Sequence, residues 1–155
     1  MNDLVRVSGL RVVARNESGA DHVIVKDVSF SIPQGEVLAL IGESGSGKTT
    51  IALALMGYAR GGCSIASGAV DVGATAVTSL RGQQLCELRG RQVAYIAQSA
   101  AAAFNPARSI MDQVVEGARI HRTLTRAAAE AKAVELFRAL ALPAPESIGR
   151  RYPHE

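Results

Sequence analysis

Residues Gly42-Glu43-Ser44-Gly45-Ser46-Gly47-Lys48-Thr49 satisfy G-x-x-x-x-G-K-[ST] at every fixed position. That pattern restricts a chain because each part answers a demand of phosphate binding. The glycines let the backbone turn so that successive N–H groups face inward, and a helix beginning at the lysine adds its own N-terminal donors. A lysine at the second-last position reaches the β- and γ-phosphates as a point charge, and the hydroxyl after it can ligate Mg²⁺. The flanks agree with this. "VLALI" (37–41) is a continuous apolar run, as expected of a strand buried on both faces of a parallel sheet, and "TTIALALMGYA" (49–59) reads as a helix. An α/β fold with a nucleotide phosphate site follows. Gly42, Glu43, Ser44, Gly45, Ser46 and Gly47 would line it with Lys48, Thr49 and Thr50, and Thr49 would sit on the metal. The spacing G-x-G-x-x-G is absent, which disfavours a dinucleotide site of the Rossmann type.

The chain does not open with this unit. "LVRVSGLRVV" reads as a strand, "NESGAD" (16–21) as a turn, and "HVIVKDVSFSI" as a second strand in which Val28, Phe30 and Ile32 alternate with Ser29 and Ser31. Pro33 and Gly35 suit the i+1 and i+3 places of a type I turn. An antiparallel sheet is therefore expected ahead of the phosphate loop. Downstream, 65–72 is a weaker strand candidate, "LRGQQLCEL" a short helix, and "QVAYIAQ" (92–98) a second buried strand closed by Gln98. Beyond it the chain breaks at Asn105-Pro106. Ser109 and Asp112 form a capping-box pattern opening a helix to about Glu116. Thr125 can cap a longer helix with Ala133, Phe137 and Leu140 on one face, ended by "LPAPES".

Composition narrows the function classes. At 155 residues, 48% hydrophobic and 20% charged, the chain suits one globular domain with a sizeable core. No apolar run approaches the roughly eighteen residues of a membrane span, and no signal-peptide layout opens it, so a cytoplasmic location is expected. Cys63 and Cys86 lack metal-site spacing and read as reduced thiols. A net charge of +3 spread along the chain and 4% aromatics, with no Trp, argue against nucleic acid as a partner.

"VKDVSFSIPQGEVLALIGESGSGKTT" resembles the start of an ABC-type ATPase domain, in which an antiparallel sheet precedes the P-loop and a Gly-Glu pair leads into the P-loop strand. "RQVAYIAQSAAAAFNPARSIMDQV" is similar to the Q-loop region of that family, with Gln98 in the glutamine's place. The "FNP" form and the closing "RYPHE" resemble the subfamily that energises dipeptide, oligopeptide and nickel importers. The resemblance implies a P-loop NTPase fold divided into 1–98, the antiparallel sheet with the P-loop core, and 99–155, a helical subdomain that docks on a permease. It implies ATP and Mg²⁺ as ligands, with Lys48 and Gln98 catalytic and Gln98 contacting Mg²⁺ and the attacking water. Its implied partners are two transmembrane permease subunits, a second ATPase subunit and, indirectly, a solute-binding protein, at the inner face of the membrane. The family's adenine-stacking aromatic is absent, since residues 10–27 hold no Phe, Tyr or Trp. His22 is the one ring there.

A P-loop NTPase also holds Mg²⁺ through an Asp ending a second hydrophobic strand. No such strand is legible after Gln98, and "SGAVDVG" around Asp71 is too short and weakly apolar to be one. Only 37–41 and 92–97 suit a central parallel sheet, and two strands cannot cover their own edges. "RYPHE" resembles the stretch just ahead of the family's Leu-Ser-Gly-Gly-Gln signature, so the chain reads as the N-terminal portion of an importer ATPase, inactive alone. Two other readings stay open: a nucleotide-binding module without catalysis, and a soluble ABC-type ATPase of DNA repair or translation.

Overall fold

The computed structural model describes residues 3–15, 19–99 and 103–155, in two compact units, Met1–Ala94 and Tyr95–Glu155. In the first unit Asp3–Arg15 (β1), Asp21–Pro33 (β2), Cys63–Val72 (β3) and Thr75–Ala76 (β4) make one antiparallel sheet ordered β2-β1-β3-β4. The antiparallel opening expected from the sequence is present, and 65–72 belongs to a full strand. Residues 16–18 of the expected turn lie outside the described residues. β1 slips register against both neighbours around Gly9, so its burial does not keep one parity: Val7, Leu10, Val12 and Val13 are all buried.

The sheet's apolar face packs on two short helices, Lys48–Ala54 (α1) and Gln83–Leu88 (α2). Leu10 and Val70 are fully buried there beside Ile51 and Ala54 of α1 and Leu88 of α2. Each such Leu, Ile or Val contributes about 1.5–3 kcal/mol over an exposed position, so sheet and helices hold one another. Helix α1 is shorter than the expected 49–59. The amide of Gly57 donates to Ala54 O (2.9 Å) and that of Tyr58 to Leu53 O (3.1 Å), while Gly57 takes the left-handed conformation at φ 62°. This is a Schellman ending, and a run rich in helix formers stops where glycine permits it. The turn after β2 also differs from expectation. Glu36 N donates to Pro33 O, which puts Gly35 (φ 82°) at i+2, the glycine place of a type II turn.

The larger correction concerns the two strands expected in a central parallel sheet. Residues 37–41 pair with no strand, and Val37 and Ile41 stand 95% and 94% exposed. Within 92–98 a single parallel bridge joins Val93 to Arg89, and Ile96 is 93% exposed. A strand buried on both faces needs hydrogen-bonded neighbours on both edges and layers above and below. The described residues supply neither, so these segments stay extended without a ladder.

In the second unit Ile110–Val114 (α3), Glu116–Ile120 (α4) and Arg126–Ala139 (α5) surround a small core of Val115, Ala129, Ala133 and Phe137. Both expected caps are formed. Ser109 Oγ accepts from the Asp112 amide at 3.2 Å and donates to Asp112 Oδ2 at 2.9 Å, and Thr125 Oγ1 accepts from the Ala128 amide. The buried stripe of α5 is Ala129, Ala133 and Phe137. Leu140, expected on that face, follows the last helical turn and is 70% exposed. Arg138 forks onto Glu146 Oε1 at 3.0 and 2.8 Å and holds that carboxyl below the usual carboxylate range. Among the described residues no helix is long and apolar enough to cross a membrane. Replacing the half-buried Ser109 with Ala should lower stability by about 1 kcal/mol through the lost cap. Unchanged denaturant midpoints for Ser109→Ala would contradict that role.

Candidate functional site: the phosphate loop

Gly47 stands immediately before α1 with φ 88° and ψ 3°, a left-handed residue no side chain caps. A Cβ there would come within 3.1 Å of Ile24 O and 3.2 Å of Val25 Cγ2. The loop therefore lies against β2, and only glycine fits both the conformation and the space. Gly47 is buried, Lys48 and Thr50 are half-buried, and Glu43, Ser44, Gly45, Ser46 and Thr49 face solvent.

Lys48 folds back over the loop. Its Nζ donates to Gly42 O at 2.7 Å, Glu43 O at 2.6 Å and Ser46 Oγ at 3.3 Å, so the ammonium's three donors are all engaged. The same turn is tightened by Ser46 N donating to Glu43 O, and Gly47 O accepts from Ile51 N at 2.9 Å inside α1. Among the described residues the amides of Ser44, Gly45, Gly47, Lys48 and Thr49 make no hydrogen bond within the protein. No acidic residue occupies the first turn of α1. One short run of chain thus carries both a positive charge and unsatisfied N–H donors. Such an arrangement suits a polyanion, whose oxygens can take the amides and exchange for the carbonyls now held by Lys48.

Gly42 to Gly47 form the loop, and Lys48, Thr49 and Thr50 open α1 directly after it. Gln98 is exposed in a bend and belongs to the other unit, Tyr95–Glu155. It does not end a strand as expected. His22 is exposed at the start of β2, opposite Ala14 and two residues before Ile24, which touches the loop. Cys63 and Cys86 are free thiols. Two features had no signal in the sequence. One is a cavity of about 640 Å³ in the helical unit, lined by Arg108, Asp112, Arg119, Arg122 and Leu124 among others. The other is Arg89, which clamps the far end of α1.

Residues 25–148 match the family model described as ABC transporter. The chain belongs to that family. The match begins within β2 and covers the phosphate loop, Gln98 and the helices as far as Ile148, and membership of the family implies a P-loop NTPase fold. Curated relatives agree. The oligopeptide transport ATP-binding protein AppD of Bacillus subtilis (strain 168) is 34% identical over 84% of this chain and 40% of its own length. The oligopeptide transport ATP-binding protein OppD of Escherichia coli (strain K12) is 32% identical over 98% of this chain and 44% of its own. The glutathione import ATP-binding protein GsiA of Salmonella choleraesuis (strain SC-B67) is 32% identical over 99% of this chain and 25% of its own. The chain thus spans less than half the length of these ABC relatives.

Proposed function

We propose that this chain supplies the phosphate-binding portion of an ATPase subunit that drives import of a peptide-like or nickel-type solute. The observation that carries it is the loop itself: five backbone donors without a partner within the protein, in the same short run as the Lys48 ammonium at the start of α1. A triphosphate fits that donor set, with Gly42, Glu43, Ser44, Gly45, Ser46 and Gly47 cradling its phosphates beside Thr50. Thr49, exposed in the first turn, offers its hydroxyl to Mg²⁺. Gln98 is the second residue on metal and water in this reading, and its chain segment carries the message to a permease. Residues 1–98 then act as sheet and P-loop core, and 99–155 as the helical subdomain facing two permease subunits. A second ATPase subunit and a solute-binding protein complete the assembly, at the cytoplasmic face of the membrane. The relatives' printed roles in oligopeptide transport and glutathione import support a peptide-like solute. His22, two residues from the strand position touching the loop, is the proposed adenine neighbour.

The metal assignment has a direct test. Thr49→Val keeps the side chain's shape and removes its oxygen, so nucleotide affinity should lose most of its gain from added Mg²⁺ while metal-free affinity changes little. The measurement is a nucleotide titration of the full-length gene product with Mg²⁺ and with chelator. An unaltered Mg²⁺ response in the variant removes Thr49 from the metal.

A further inference from the structure

At the end of α1 opposite the phosphate loop, the chain turns through Met56 and Gly57, and both of these carbonyls point to one side chain. Arg89 takes both. Its Nε donates to Met56 O at 3.0 Å and its Nη2 to Gly57 O at 3.1 Å, across 33 and 32 residues of sequence. Its guanidinium carbon lies 5.8 Å from the centroid of the Tyr58 ring, within cation–π range. We propose that Arg89 is a positioning residue that sets α1, and with it Lys48 and Thr49, for phosphate binding. This rests on the nucleotide reading above.

Helix α1 has seven residues, about 10 Å from end to end. So short a helix is marginal by itself, and its placement comes from what grips it. Ile51, Leu53 and Ala54 are its buried residues. Apolar contacts resist separation more than sliding or rotation, because the hydrophobic effect has no direction. A planar guanidinium bonding two carbonyls fixes direction as well as distance, and a cation at a helix C-terminus also complements the helix dipole.

The anchor beneath Arg89 is firm. Its own amide donates to Leu85 O at 3.1 Å, closing α2. The next residue inward, Leu88, is 2% exposed in the core, and its carbonyl accepts from Arg91, Gln92 and Val93. Val93 packs on the same core and bridges back to Arg89. Gly57 lies so close to this layer that a Cβ would meet Leu85 Cδ2 at 2.6 Å and Val77 Cγ1 at 3.2 Å. The clamp thus ties α1 to the start of the segment that runs on toward Gln98.

The test uses the full-length gene product as wild type, Arg89→Ala, Arg89→Lys and Lys48→Ala. MgATP affinity is measured by calorimetry with and without low-millimolar guanidinium, alongside melting curves. A loosened α1 presents Lys48 and the loop amides correctly only part of the time, and apparent Kd rises in proportion as that fraction falls. Arg89→Ala should therefore weaken MgATP binding about tenfold or more. Arg89→Lys, which cannot make both bonds at once, should fall between wild type and Ala. Free guanidinium should restore much of the affinity of Arg89→Ala and none of that of Lys48→Ala. If the folded Ala variant binds MgATP like wild type, or guanidinium restores nothing, the positioning role is wrong and Arg89 only stiffens the core. Should the Ala variant not fold, Arg89→Lys decides by the same two measures. A wild-type protein that binds no MgATP overturns the nucleotide reading itself, and the role of Arg89 falls with it.

Discussion

Lys48→Ala should reduce MgATP affinity roughly tenfold to a hundredfold in the full-length gene product. The lost contact is a charge-assisted one to phosphate, worth about 1.5–3 kcal/mol, and every 1.4 kcal/mol is about tenfold. The structure adds a second cost. In the free loop the same ammonium ties together Gly42 O, Glu43 O and Ser46 Oγ, so the variant also loosens the turn that must present its amides to the ligand. Both effects act in one direction. The lysine is half-buried at the start of α1 and is not among the side chains of the core cluster, so the variant should remain folded. Calorimetry on variant and wild type, each shown folded by its melting curve, checks this, and equal affinities would sink it.

The second large effect concerns the 155-residue chain expressed alone. It should release phosphate from ATP no faster than its own Lys48→Ala variant. Catalysis of phosphoryl transfer is positioning and charge stabilisation on several sides of the γ-phosphate at once. The described residues supply the cradle with Lys48 and Thr49 in one unit and Gln98 in another. None of their strands ends in an Asp placed beside the loop: Asp71 lies within β3, paired with Arg6 and Ala76 in the antiparallel sheet. Absence of one stabilising group typically costs about a hundredfold to a thousandfold. The same chain should bind a hydrophobic dye and self-associate, because Val37, Ile41 and Ile96 are almost fully exposed on segments with no ladder partner. Turnover that is robust in the isolated chain and lost in Lys48→Ala would refute the account.

Much of this protein is determined locally, and the sequence by itself carried those parts. The phosphate loop is a run of eight residues whose pattern of glycines, charge and hydroxyl is legible without knowing that β2 packs against Gly47. The same holds for the caps at Ser109 and Thr125, where a side chain reaches an amide three residues on. The alternation of Val28, Phe30 and Ile32 against Ser29 and Ser31 reports one covered face, and β2 shows it. Tertiary structure decided whatever depends on neighbours remote in sequence. "VLALI" has the composition of a doubly buried strand, yet a strand exists only where adjacent chains complete its hydrogen bonds, and those are not among the described residues. Helix α1 ends at the glycine that α2 crowds and not at the end of its helix-forming run. Leu140 follows the helical period but lies past the turn where the period stops, so it meets water. Arg89 was invisible for the same reason. Its acceptors are backbone carbonyls more than thirty residues away, which no pattern of side chains encodes and only the folded chain brings within 3.1 Å.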